Sequence, residues 1–235
     1  MFYNNFELDD SGQTLIRYTG KGPVVVIPDG VTCIGKDAFQ ECRSVISITA
    51  PNGLLRIEDR AFWDCSHLTS INLPDSVESI GESAFWSCSE LRSIKMPKGV
   101  KIIEKATFLF CCGLEEVSMS EDVNIIKTHA FAGSGLTKIE IPKGTKSIGE
   151  AAFYSCSLLK SVIIPNNVTS IGRVAFYGCE SLTSITIPDS VTSIGERAFG
   201  HCSGLKNIIF TGTREQWNKI GYETNIRVKC TRLGG

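Results

Sequence analysis

No apolar run in this 235-residue chain approaches the roughly 18 residues that a membrane-crossing helix needs, so insertion into a bilayer is excluded. An excess of either charge is missing as well. The chain has 24 Lys and Arg against 25 Asp and Glu, a formal net charge of −1. With no basic stretch to compensate, it lacks the electrostatic footprint of a nucleic-acid binder. Residues Met1 to Asp10 carry neither a basic n-region nor an apolar h-segment, so no signal peptide is expected within this sequence. The chain is then either intracellular or exported by a signal outside it. Histidine is scarce, and His67, His129 and His201 stand at different offsets within the pattern described below. A metal site needs its ligands on one column or wall, so solvated turn histidines are the expectation. No Gly-rich phosphate loop and no Gly-x-Ser-x-Gly elbow is present. Catalysis, cofactors and metals are not expected.

The sequence does have a register. Phe39, Phe62, Phe85, Phe108, Phe131, Phe153, Phe176 and Phe199 fall 23 residues apart, with one step of 22. A fixed period of this size marks one supersecondary unit stacked on copies of itself. In the copy after Phe176, Leu182, Ile185 and Ile187 alternate with polar residues, which predicts a short strand. Pro188 ends that strand because it cannot donate to another ladder bond. Val191 and Ile194 form a second short apolar pair, Gly195 permits a bend, and Ala198-Phe199 opens the next corner. The expected fold is a repeat solenoid with right-handed crossovers, mainly short parallel strands with 3₁₀ or one-turn helical corners. Nine such strands would make a rod about 40 Å long.

Open solenoid ends expose apolar edges and need covering. Phe6-Glu-Leu8 and Leu15-Ile-Arg-Tyr18, joined through Asp9 to Gly12, predict a hairpin within residues 1–22. Thr213-Arg-Glu-Gln216 predicts a capping box with Trp217 on the apolar face, inside a closing segment of residues 211–235. The repeats occupy residues 23–210 between these two caps.

Ten cysteines would suggest disulfides in a short secreted chain. Seven of them, Cys42, Cys65, Cys88, Cys111, Cys156, Cys179 and Cys202, instead stand three residues after a repeat Phe, with Ser134 in the eighth place. In-register Cβ vectors point alongside one another rather than at one another, so free buried thiols are expected. Cys33 and Cys230 lie off this column and are expected to face outward.

The unit Leu-x-x-Ile-x-Ile-Pro-x-x-Val-x-x-Ile-Gly-x-x-Ala-Phe-x-x-Cys, spelled by residues 182–202, closely resembles the BspA-like, treponemal-type leucine-rich repeat. The resemblance covers residues 23–210 and implies a leucine-rich-repeat superhelix. It also implies a non-catalytic, adhesin-like protein-binding module of a bacterial surface or secreted protein, with a host matrix or cell-surface protein as ligand. An intracellular interaction scaffold of the same fold is the alternative. The chain departs from the unit where Glu58, Glu104 and Lys127 replace Gly, Thr107 replaces Ala, Ser120 replaces Pro, and one residue is lost before Leu136.

Recognition would use the positions that the repeat leaves free. Trp63, Trp86, Leu109, Tyr154 and Tyr177 directly follow the repeat Phe, interrupted by Ala132. They either brace the turns or serve as contact residues. Ile102 and Ile125 stand where other coils carry Ser, with Leu109 and Phe110 on the adjoining corner. This group is either a binding or self-association patch or a locally repacked corner.

Overall fold

The computed structural model describes residues 2–232; Met1 and residues 233–235 of the closing segment lie outside them. Two walls of short strands run along the molecule. The first holds Val24–Val26, Ser47–Thr49, Ser70–Asn72, Ser93–Lys95, Glu116–Ser118, Lys138–Glu140, Ser161–Ile163, Ser184–Ile187, Asn207–Phe210 and finally Arg227–Cys230. The second holds two-residue strands from Cys33–Ile34 to Ser193–Ile194. Coils pair in parallel at the repeat offset, with Val25 opposite Ile48 and Ile171 opposite Ile194. The fold is thus the parallel solenoid that the period predicts. From Val24–Val26 to Ser184–Ile187 the strands of the first wall, Glu116–Ser118 apart, end in a turn closed by the carbonyl of the Pro residue, as in Leu54 N–H to Pro51 at 3.1 Å and Val191 N–H to Pro188 at 3.0 Å. Ser120 keeps the same bond to Val123 at 3.2 Å.

The eight repeat phenylalanines are buried and stack ring on ring with centroids 5.0 to 5.6 Å apart. Tyr18 extends the stack at the N-terminal end, 5.1 Å from Phe39, and the hairpin residue Phe6 lies 5.3 Å beyond it. At the other end Tyr222 meets Phe199 edge-on at 5.8 Å. Its hydroxyl accepts the Phe199 N–H at 3.1 Å. In earlier coils that N–H finds a backbone carbonyl of the next coil, as Phe176 does with Ala198 at 2.8 Å.

The corners depart from a helical or 3₁₀ turn in one respect that shapes everything around them. The residues two before and two after each Phe have left-handed φ, between 47° and 60° wherever they are not glycine, as at Asp37, Glu41, Ala106, Phe110 and Val174. Such values cost roughly 1–2 kcal/mol per residue for L side chains. What they allow is a division of the amides. Ala38, Gln40 and Cys42 donate within the corner to Gly35, Asp37 and Phe39, while Asp37, Phe39 and Glu41 donate to Asp59, Ala61 and Trp63 of the next coil. A helical corner would have kept all these donors to itself and left the coils unjoined.

The cysteine column completes the corner. Cys65, Cys88, Cys111, Cys179 and Cys202 each donate a thiol hydrogen bond to the carbonyl of the preceding coil's Phe, at 3.0 to 3.2 Å. Cys156 does so with Phe131 at 3.1 Å and also meets Ser134 at 3.3 Å. A small group that packs as a hydrophobe yet donates weakly suits this place.

At the C-terminal end the helix Arg214–Ile220 begins in the expected capping box between Thr213 and Gln216. Trp217 is buried against Phe210, with ring centroids 5.4 Å apart. Two measurements test the corner and its core. Phe153→Ala is expected to cost about 3–5 kcal/mol in a urea titration; a loss below about 1 kcal/mol contradicts its place in the stack. Gly178→Ala, at φ 72°, is expected to cost about 1–2 kcal/mol. No loss would mean that the corner relaxes out of its left-handed conformation.

Candidate protein-binding surfaces

Strand pairing on the second wall sets Ile102 directly beside Ile125, and Ile125 beside Ser147 of the next coil. Both isoleucines are half-buried, so a patch here is less open than their outward position suggests. The residues that follow each central strand residue, Glu104 and Lys127, form an ion pair at 2.6 Å. Two of the three replacements of the Gly column are therefore partners in adjacent coils. Gly81 shows why glycine is usual there: a Cβ would lie 2.6 Å from the backbone nitrogen of Asp59. On the following corner Leu109 is half-buried and Phe110 is 51% exposed. The Phe110 ring lies over Gly133, where a Cβ would come within 2.6 Å of it.

The aromatic column separates into two pairs. Trp63 and Trp86 sit 6.0 Å apart at 47°, while Tyr154 and Tyr177 stack at 5.2 Å and 2°. Tyr177 then meets His201 at 4.8 Å. Trp63, Trp86 and Tyr177 are half-buried, and Tyr154 is 37% exposed. A shallow cleft of about 400 Å³ gathers Tyr154 and Tyr177 with His129, Arg173 and Arg197. Arg173 is held there by Glu150 at 3.1 Å.

The first wall contains a feature that the repeat pattern does not announce. No ladder joins Glu116–Ser118 to Lys138–Glu140, and the wall falls into sheets of three, two and five strands. Val117 and Met119, inward residues on the rim of that break, are only half-buried. A groove of about 710 Å³ lies there, lined among others by Val117, Met119, Glu140, Lys143 and Ile163. Its charged rim includes Glu116 and Lys138, 3.8 Å apart. The only traces in the sequence are the 22-residue step just before Leu136 and Ser120 in the place of Pro. The most exposed apolar residues, Val24 at 69%, Val26 at 65% and Ile163 at 60%, all belong to this wall.

Cys33 overturns an expectation. It is 1% exposed rather than outward, because Glu58 of the next coil reaches back over it, with its carboxylate 3.6 Å from the thiol and 3.0 Å from the Lys36 amide. Burial and the Glu58 charge push that thiol's pKa up. Burial does the same along the column: Cys42, Cys156 and Cys202 are pushed up to about 11, and Cys65, Cys88, Cys111 and Cys179 further still. Thiols held protonated and bonded to carbonyls are poor nucleophiles and poor metal ligands. The histidines stand apart, His67 bonded to the Arg43 carbonyl at 2.6 Å and His201 stacked on Tyr177. Among the described residues no three His, Cys, Asp or Glu side chains gather into a metal-binding group. What the surface offers is contact area.

The profile of the BspA type leucine rich repeat region matches residues 18–137 and 124–224, in six copies. A leucine-rich repeat protein of T. pallidum, TpLRR, is 29% identical with a TM-score of 0.70, over 77% of this chain and 90% of that one. A leucine-rich repeat protein from Bacteroides ovatus is 27% identical with a TM-score of 0.61, over 96% of this chain and 74% of the other. No curated protein matches.

Two outcomes follow from the thiol environments. In native protein the exposed Cys112 is expected to react with a thiol reagent in the first phase, and the buried column only after denaturation; prompt reaction of the column would show it to be open. Folding keeps the Cys156 thiol protonated while the unfolded chain ionises near pH 9. Its contribution to stability is therefore expected to fall as pH rises from about 9 to about 11. Urea titrations at pH 8 and pH 10, with Cys156→Ala as control, check the slope.

Proposed function

Because this chain belongs to the BspA-type leucine-rich repeat family, whose repeats generally mediate protein–protein interaction, we propose that it is a non-catalytic, adhesin-like binding module of a bacterial surface or secreted protein. Residues 1–22 and 211–235 close the two ends, and the repeats between them present the working surface. The observation that carries this reading is the distribution of contact groups. Exposed apolar residues, the first-wall groove and the paired aromatics lie along one stacked core, with no convergent reactive side chains among the described residues. A ligand that spans several coils gains many modest contacts while the rigid array loses little freedom on binding. Host matrix or cell-surface proteins are the proposed partners. Ile102, Ile125, Leu109 and Phe110 are the first candidates for contact or self-association, and Trp63, Trp86, Tyr154 and Tyr177 the second. An intracellular scaffold of the same fold is favoured by one observation, the column of buried, hydrogen-bonded thiols, which suits a reducing compartment.

The test is binding of the immobilised chain to purified matrix proteins and to bacterial lysate, with sedimentation to read self-association. The double variant Ile102→Ser and Ile125→Ser is expected to weaken partner binding or dimerisation at least tenfold. Two half-buried isoleucines should cost only about 1 kcal/mol each in stability. Unchanged binding would transfer the role to the aromatic column, and no binding to either panel would remove the adhesin reading.

A further inference from the structure

On both walls the strand ladder breaks at the same junction, although on the first wall the Arg92 N–H still reaches the Thr69 carbonyl at 3.5 Å. On the first wall one sheet ends at Ser70–Asn72 and the next begins at Ser93–Lys95; on the second, one ends at Ser79–Ile80 and the next begins at Ile102–Ile103. The amides record the gap. Leu55, Glu78, Asn124 and Lys146 each bond to the carbonyl one coil earlier, as do Glu58, Gly81, Lys127 and Gly149. Lys101 and Glu104, the members of these two series at this junction, make no such bond among the described residues. Leu73 likewise lacks the bond that Ala50 makes to Asn72 and Met96 makes to Ser118. Ile71 and Leu73 are half-buried, where Ile48, Ile94, Ala50 and Met96 are buried. On the second wall a cleft of about 430 Å³ runs from Lys36 and Glu58 across Gly81 to Glu104, so that the seam lies at one end of it.

The corner at this junction is intact. Ser83, Phe85 and Ser87 donate to Lys105, Thr107 and Leu109 at 2.8 to 2.9 Å, and Phe85 stacks on Phe108 at 5.4 Å. Across the opposite side, Asp75 faces Lys95 at 3.8 Å and Lys98 at 3.4 Å, all three well exposed. We propose that this seam is a hinge: the coils up to Ile80 and the coils from Ser93 onward swing about the Phe85–Phe108 corner, and Asp75 with Lys95 and Lys98 is the latch that limits the opening. Repeat arrays hold together only through neighbouring coils, so one weak junction divides the rod mechanically. The latch acts through exposed charges and yields to salt. Opening changes the curvature of the first wall without unfolding either half, whatever that wall binds.

The experiment uses the full chain with Cys42, Cys112 and Cys230 replaced by Ser and spin labels at two alternative pairs. Leu55→Cys with Asn124→Cys spans the seam, and Asn124→Cys with Thr192→Cys spans three coils beyond it. Pulsed dipolar distances are expected to be at least twice as broad, or bimodal, for the first pair. Asp75→Asn or added salt is expected to broaden that pair and leave the second unchanged. Equal widths that ignore Asp75→Asn overturn the hinge. Hydrogen exchange on the unlabelled chain is the second measurement, in case labelling disturbs the fold. Lys101 and Glu104 are expected to exchange at least a hundredfold faster than Asn124 and Lys127, and faster again in Asp75→Asn. Equal protection at all four positions, or exchange indifferent to Asp75→Asn, counts against it.

Discussion

A backbone that turns left-handed on each side of every repeat phenylalanine sends alternate amides to the next coil, and the remaining features of this molecule are arranged around that exchange. The phenylalanine between the two reversals has nowhere to point except inward, where its ring meets the rings above and below. Its carbonyl then has one acceptor site closed by the corner's own turn and another facing the next coil. The thiol three residues after the following Phe fills that second site. A wholly apolar group there would leave the carbonyl one donor short in a buried place. Phe and Cys are thus two halves of one requirement, which is why they keep step along the chain.

This coupling also explains what the sequence reveals and what it conceals. Buried positions shared by every coil tolerate little variation, so the spacing of Phe39 to Phe199, the cysteine column and the alternating strand residues declare the solenoid directly. Thr213 and Gln216 declare the terminal helix for a similar reason, because a capping box is a local pattern. The left-handed corners are silent. Arg60, Ala106 and Val174 are not residues that advertise positive φ, and Gly133 and Gly178, with Asp37, Asp64, His129 and His201, are the only hints of it on those columns. The breaks in the walls are silent too. They depend on how one coil sits on another, and the loss of one residue before Leu136 and Ser120 in the place of Pro are their only local marks. Cys33 could not be placed without knowing that Glu58, a full period away, folds back over it.

The candidate surfaces show the same division. Pattern alone puts Ile102 and Ile125 side by side and orders the aromatic column, and strand register agrees with that adjacency. Degree of burial is another matter, since half of each isoleucine is covered by neighbours that no offset rule identifies. The groove on the first wall was out of reach for a sharper reason: it exists because two strands fail to pair. In a molecule whose order comes from repetition, the places suited to recognition are where repetition lapses, since a regular coil offers its partner nothing that the next coil does not offer as well.

One phenolic oxygen closes the phenylalanine stack at the last corner. A ladder built from identical rungs has no intrinsic reason to stop, and an unmet amide at its last rung would invite another chain to continue it. Tyr222 answers the Phe199 amide with a side chain in place of a backbone and turns its ring across the axis, so the middle amide of the last corner is met by a group that cannot pass the pattern on. Another coil docked on this end would have to displace that ring before its own backbone could reach the Phe199 amide.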